Sequence, residues 1–162
     1  MMEVLVAMLI TAFGVLGFVG LQARTTLSGL EGYQRSQALL LANDIAQRIS
    51  ANRVEAPSYL GANVGVADPG TCPAAPAAAR DMCEWASLLR GSGERLGIRQ
   101  LGAVQAARGC ITNAGPNAYL ITVVWQGVQP TGPTPISCGS GDYPAENLRR
   151  GVSTVLRIGT LS

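Results

Sequence analysis

Histidine is absent from this chain. That removes the commonest general base and the commonest metal ligand, and with them most hydrolase and metalloenzyme readings. Charge is scarce too: 14% of the 162 residues are acidic or basic, the net charge is +2, and no basic run of five or more occurs. So weak a field names no nucleic acid or acidic surface as a partner. Nor do aromatics interleave with basic residues as they do in single-strand binding platforms. The chain contains no G-x-x-x-x-G-K-S/T loop, G-x-G-x-x-G turn, G-x-S-x-G elbow or H-E-x-x-H helix, so its glycines follow loops rather than phosphate sites. Asp44, Asp81, Glu84, Asp142 and Glu146 form no pairing that sequence supports as acid and base; each reads as a cap, a loop polar group or a surface charge. The expectation is a non-enzyme with no cofactor and no metal.

Apolar residues make up 48% of the chain, which fits one compact head plus an accessory segment. That segment is residues 1–21, MMEVLVAMLITAFGVLGFVGL, with a single charge at Glu3. Val4 to Leu21 offers 18 uncharged residues, the lower end of what a tilted helix needs to cross a bilayer. A cleavable signal fits less well: there is no basic lead, the apolar run is too long, and no small-residue cleavage site follows. Gly14, Gly17 and Gly20 recur at spacing three, compatible with close helix packing or with tolerated membrane glycines. An acid at Glu3 complements a helix N-terminus, yet inside a bilayer it costs up to about 2.5 to 3.5 kcal/mol, so the position asks for a function.

The helical pattern continues without proline to Pro57, giving one helix of about 53 residues with an amphipathic half over 22–53. Ala38, Leu41, Ile45 and Ile49 recur at intervals of three and four, widened by Leu39, Ala42 and Ala46. Asp44 and Arg48 form an i,i+4 pair on the solvated flank. Residues 54–80 read as an irregular Ala/Gly/Pro loop, and a short helix is expected over 81–89 with Asp81 as N-cap, Glu84 in the capping box, and Trp85, Leu88 and Leu89 inward. Residues 90–108 are ambiguous. Strands are expected at 109–113, 119–126 and 148–158, forming an antiparallel sheet. In the second, Tyr119, Ile121, Val123 and Trp125 alternate with Leu120, Thr122, Val124 and Gln126, and the first set is the natural cover for the helix stripe. The fold class that results is α+β: a long N-terminal helix with its second half packed on a small antiparallel sheet, and a head over 54–162.

Cys72, Cys83, Cys110 and Cys138 all lie beyond the apolar segment, which fits an oxidising compartment across a membrane. Their spacings of 11, 27 and 28 contain no CxxC pair, which argues against zinc and thioredoxin-like chemistry. Of three connectivities, nearest-neighbour pairing, Cys72–Cys83 and Cys110–Cys138, closes modest loops and is the one expected; spacing alone leaves the other two open.

MMEVLVAMLITAFGVLGFVGLQ resembles the N-terminal segment of type IV pilins and type II secretion pseudopilins. The continuation YQRSQALLLANDIAQRISANR at 33–53, with DMCEWASLL at 81–89 and ITVVWQG at 121–127, is similar to PilV-type minor pilins. The resemblance covers the helix and patches of the head. It implies a pilin-like fold, and a minor pilin that joins other minor pilins and the major pilin to prime assembly and stands at the pilus tip, where it presents an adhesin. Glu3 matches the acid that neutralises the N-terminal amine of a neighbouring subunit in that family. The resemblance also implies a precursor with a basic leader, cut after glycine before Phe-Thr and methylated by a prepilin peptidase. It further implies an inner-membrane assembly platform and export from inner membrane to cell surface. Those leader residues do not stand before Met1, so processing is expected of a longer parent chain. Two alternatives remain: a type II secretion pseudopilin, and a single-span anchor carrying a periplasmic binding head.

Overall fold

The computed structural model describes residues 2–91, 95–96, 99–100 and 104–159. The chain is α+β, with a long N-terminal helix and a small four-stranded antiparallel sheet. Helix α1 spans Met2–Ala51; Glu3 in its first turn and Arg48 in its last both complement the helix dipole. Two compact units divide the chain, Met1–Tyr33 and Gln34–Ser162. The amphipathic half of the helix from Gln34 onward therefore belongs to the head, which is larger than the 54–162 read from composition.

In the first unit every residue from Met2 to Thr26 is exposed. Within the second, Ala38, Ala42, Ile45 and Ile49 are buried, Leu41 and Ala46 are partly buried against the same core, and Leu39 and Leu40 face outward. The stripe is that expected of the sequence less Leu39, and Ala38 and Ala42 form its N-terminal half. Small side chains leave the helix backbone approachable: the Trp85 indole N–H donates to Leu41 O at 2.9 Å.

Residues 54–80 are more ordered than their composition suggests. A 3-10 segment runs over Arg53–Tyr59, and β1 (Gly61–Val64) pairs with the fourth strand. Helix α2 spans Ala77–Leu89, starting four residues before the position expected, with Pro76 at its N-cap. Proline lacks the N–H that a helix start leaves unpaired, and the alanines that follow propagate the helix. Asp81 is therefore no cap. It lies inside α2, buried, with Glu84 one turn further on.

After two antiparallel two-residue strands, β2 (Arg95–Leu96) and β3 (Arg99–Gln100), come β4 (Arg108–Gly115), β5 (Ala118–Gln126) and β6 (Arg149–Arg157). The main sheet runs β1-β4-β5-β6. The β4–β5 turn puts Pro116 and Asn117 between paired Gly115 and Ala118; Asn117 sits at φ 51°, the left-handed region asparagine tolerates, and proline presets the preceding φ.

One face of β5 (Tyr119, Ile121, Val123, Trp125) joins Ala38, Ala42, Ile45 and Ile49 of α1 with Trp85 and Leu89 of α2 in a single core. The opposite face is covered too. Val124 packs with Cys110, Cys138, Tyr143 and Ile136, so the connection between β5 and β6 folds over the sheet as a third layer.

Candidate functional site

Glu3 stands one turn into a surface of thirteen large exposed apolar side chains between Met2 and Leu21, among them Leu5 at 67% and Leu16 at 68%. Burying each is worth about 1.5 to 3 kcal/mol, so leaving all of them in water forfeits roughly 20 kcal/mol or more. Soluble monomers do not carry such a surface, and lipid or other helices must cover it. The most apolar 18-residue window has mean hydropathy 2.5, long and apolar enough to cross a membrane. Around Gly14, Gly17 and Gly20 there is open space, so nothing in the chain itself requires glycine there. Glu3 makes no hydrogen bond or ion pair with another described residue. The Thr11 hydroxyl donates back to Ala7 O and Met8 O, satisfying itself within the helix.

In the head, Cys72 bonds Cys83 and Cys110 bonds Cys138. The first pair ties the 65–76 connection to α2, the second ties the β5–β6 connection to β4. Disulfides of this kind persist in oxidising compartments, so the head belongs to one, and the apolar helix supplies a membrane anchor by length and composition. Ile45, Ile49, Trp85, Ile121, Val123 and Trp125 meet in the one core, with Leu41 at its margin.

Three groupings join local pairs to residues far away in the chain, which local spacing does not show. Arg48 donates to Asp44 at 3.0 Å, to Asp81 at 3.3 Å and to Glu84 at 2.5 Å, so the pair read as a solvated flank is part of the α1–α2 contact. Tyr59 Oη donates to the other Asp81 oxygen at 2.6 Å, and burial, then that carboxylate, pushes the phenol pKa up. Arg108 pairs with Asp142 at 2.6 Å and lies over the Tyr143 ring, while burial pushes the Tyr143 phenol up to about 12 and its hydroxyl donates to Ala106 O.

Arg149, 3% exposed, is the third. Its guanidinium donates to Ile136 O, Cys138 O and Thr134 O and pairs with Glu146 at 2.6 Å. One side chain thus satisfies the main-chain carbonyls of a connection that has little secondary structure of its own. Hydrogen bonding from Arg149, then from the Gly141 N–H, holds Glu146 below the usual glutamate range. An acid depressed on folding adds stability above its unfolded pKa and loses it as pH falls through the lower folded value. In Arg149→Met, Glu146 is expected to titrate at higher pH, read from its carboxyl carbon by NMR. An unmoved titration would assign the depression to Gly141 alone.

A groove of about 420 Å³ lies on the outer face of the sheet, lined by Asn63, Thr112, Thr122, Ser153 and Ser137. Its one carboxylate, Asp142, is held by Arg108. Among the described residues no three His, Cys, Asp or Glu side chains gather as a metal site. Comparison with known protein families, characterised proteins and solved structures finds no match to this chain.

Proposed function

We propose that the chain is a minor pilin of the type IV pilus, a structural subunit that joins other minor pilins to prime assembly and stands at the pilus tip. One observation carries the reading. A single helix, Met2–Ala51, begins as a wholly exposed apolar surface with one acid at Glu3 and ends as the central element of a disulfide-stapled head. In a plain membrane anchor the acid would serve only the helix dipole, whereas in a subunit interface the N-terminal amine of a neighbouring helix would neutralise Glu3 and set its register. On this reading the subunit would be a substrate of the prepilin peptidase, held in the inner membrane with its head in the periplasm, and passed through the assembly platform to the surface. Contacts to the major pilin and to a tip adhesin belong to the same proposal.

The test is Glu3→Gln, which keeps the shape and removes the charge. Losing one partner of a buried pair costs about 3 to 5 kcal/mol, so incorporation into sheared filaments should fall at least about tenfold while the head keeps its disulfides. Normal piliation with normal subunit stoichiometry would favour the single-span anchor. A deletion strain that loses protein secretion but keeps its pili would identify a type II secretion pseudopilin.

A further inference from the structure

We propose that the outer edge of β6 docks an extended strand from a different polypeptide that carries an acidic residue opposite Arg157. The inference concerns the head alone and holds whether α1 packs in a filament or only anchors the chain.

β6 pairs with β5 in unbroken register from Gln126↔Arg149 to Ala118↔Arg157, and no strand lies on its other side among the described residues. Gly127 N–H donates to Leu148 O at 2.7 Å and Ile158 N–H to Asn117 O at 2.8 Å. In an antiparallel ladder bonded pairs alternate, so the even-numbered residues turn their backbone groups to β5. Gly151, Ser153, Val155 and Arg157 turn theirs outward. Over Gly151 the outer face of the strand is covered, because Ile136 stands 2.6 Å from where a Cβ would sit. From Ser153 to Arg157 no described strand pairs with the outward groups, and Ser153, Val155 (54%) and Arg157 are exposed.

Folded proteins guard such edges with short strands, bulges, prolines, inward charges or charged side chains on the edge itself, the one device β6 has, in its arginines. The opposite edge of this sheet is guarded in that way: β1 has four residues and its register shifts between Gly61 and Val64. β6 has nine residues, no proline and no register shift. A long regular edge left open on a sheet whose other edge is closed is the geometry of strand addition.

Charge decides the occupant. β6 carries Arg149, Arg150 and Arg157 and no acid, and the nearby Glu146 is already paired with Arg149. A second copy would set an arginine-only strand against itself. Arg157 forms no ion pair with a described residue, so an incoming strand with an acid at that position is complementary, and like charges there are disfavoured. Val155 on one face and Leu156 on the other favour β-branched or apolar neighbours.

The probe is a short synthetic peptide of alternating valine and threonine with glutamate at its amino end, which an antiparallel strand sets against Arg157. It is added to the isotope-labelled full chain in detergent micelles, and amide shifts and exchange rates are read residue by residue. Saturable shifts and slowed exchange are expected at Ser153, Val155 and Arg157. Exchanging the glutamate for lysine should weaken binding about two- to fivefold, and Arg157→Glu should reverse that preference. Val155→Pro should abolish binding while the Thr154 and Leu156 amides stay protected, because the lost N–H faces outward. A peptide N-methylated at alternate amides should not bind. Binding that survives either backbone block, or outward amides already protected in the free chain, would overturn the proposal. Protection that instead grows with protein concentration in the absence of peptide would replace the partner with a second copy and overturn it equally.

Discussion

Gly109→Ala is expected to destabilise the head by about 3 kcal/mol or more, although it adds one methyl group. The Cβ of the new residue would lie 2.1 Å from Cη2 of Trp85, with two further ring atoms at 2.6 and 2.8 Å. Contacts under 3 Å force something to move, and the indole has nowhere to go. Trp85 is 0% exposed, packs in the main core, and its N–H is tied to Leu41 O. Overpacking a filled core costs about 1 to 3 kcal/mol and occasionally more, and a rigid ring against a strand backbone belongs at the top of that range. Trp85→Ala alone should cost about 3 to 5 kcal/mol through the cavity it leaves. The pair should then be strongly non-additive, since alanine at 109 occupies part of that cavity, with a coupling of about 0.5 to 3 kcal/mol. Thermal unfolding of the four chains, followed by circular dichroism, measures the cycle. Strict additivity would show that the ring and Gly109 do not meet.

Replacing Cys110 and Cys138 by alanine is expected to cost more than replacing Cys72 and Cys83. The sequence separations are 28 and 11, and loop entropy puts the bridges at about 3.6 and about 2.8 kcal/mol. Packing widens the gap. Cys110 and Cys138 sit in the buried cluster with Val124 and Tyr143, beneath a connection held otherwise by Arg149 and Arg108, so their loss loosens the layer over the outer sheet face. The Cys72–Cys83 bridge ties a connection to α2, which is held independently by Trp85 and the Arg48 network. Denaturant unfolding of the two double variants decides the order, and a larger loss in the Cys72/Cys83 variant would contradict it.

These costs show which parts of the fold were legible beforehand. The run from Met2 to Ala51 carried its own signal: apolar throughout, then apolar at helical spacing, with no proline. β5 alternated visibly. β1 was not legible, because GANV has neither alternation nor β-branched bulk beyond one valine, and it is a strand only because β4 lies beside it. Asp81 was misread for a related reason. Three residues before Glu84 it matches a capping box, but the helix had already started at Ala77 and the carboxylate turns inward to Arg48 and Tyr59. A local pattern cannot register a partner 33 residues away.

By itself, then, the sequence determined the period and length of α1, the acid near its start, the alternation of β5, and the absence of histidine. Those properties follow from neighbours along the chain. Only the tertiary structure decided that both faces of β5 are buried, that Arg149 holds the β5–β6 connection by its carbonyls, and that β6 is left with an open edge. Each of these depends on which distant segments are brought together, and packing, buried hydrogen bonds and sheet order have no counterpart in local spacing.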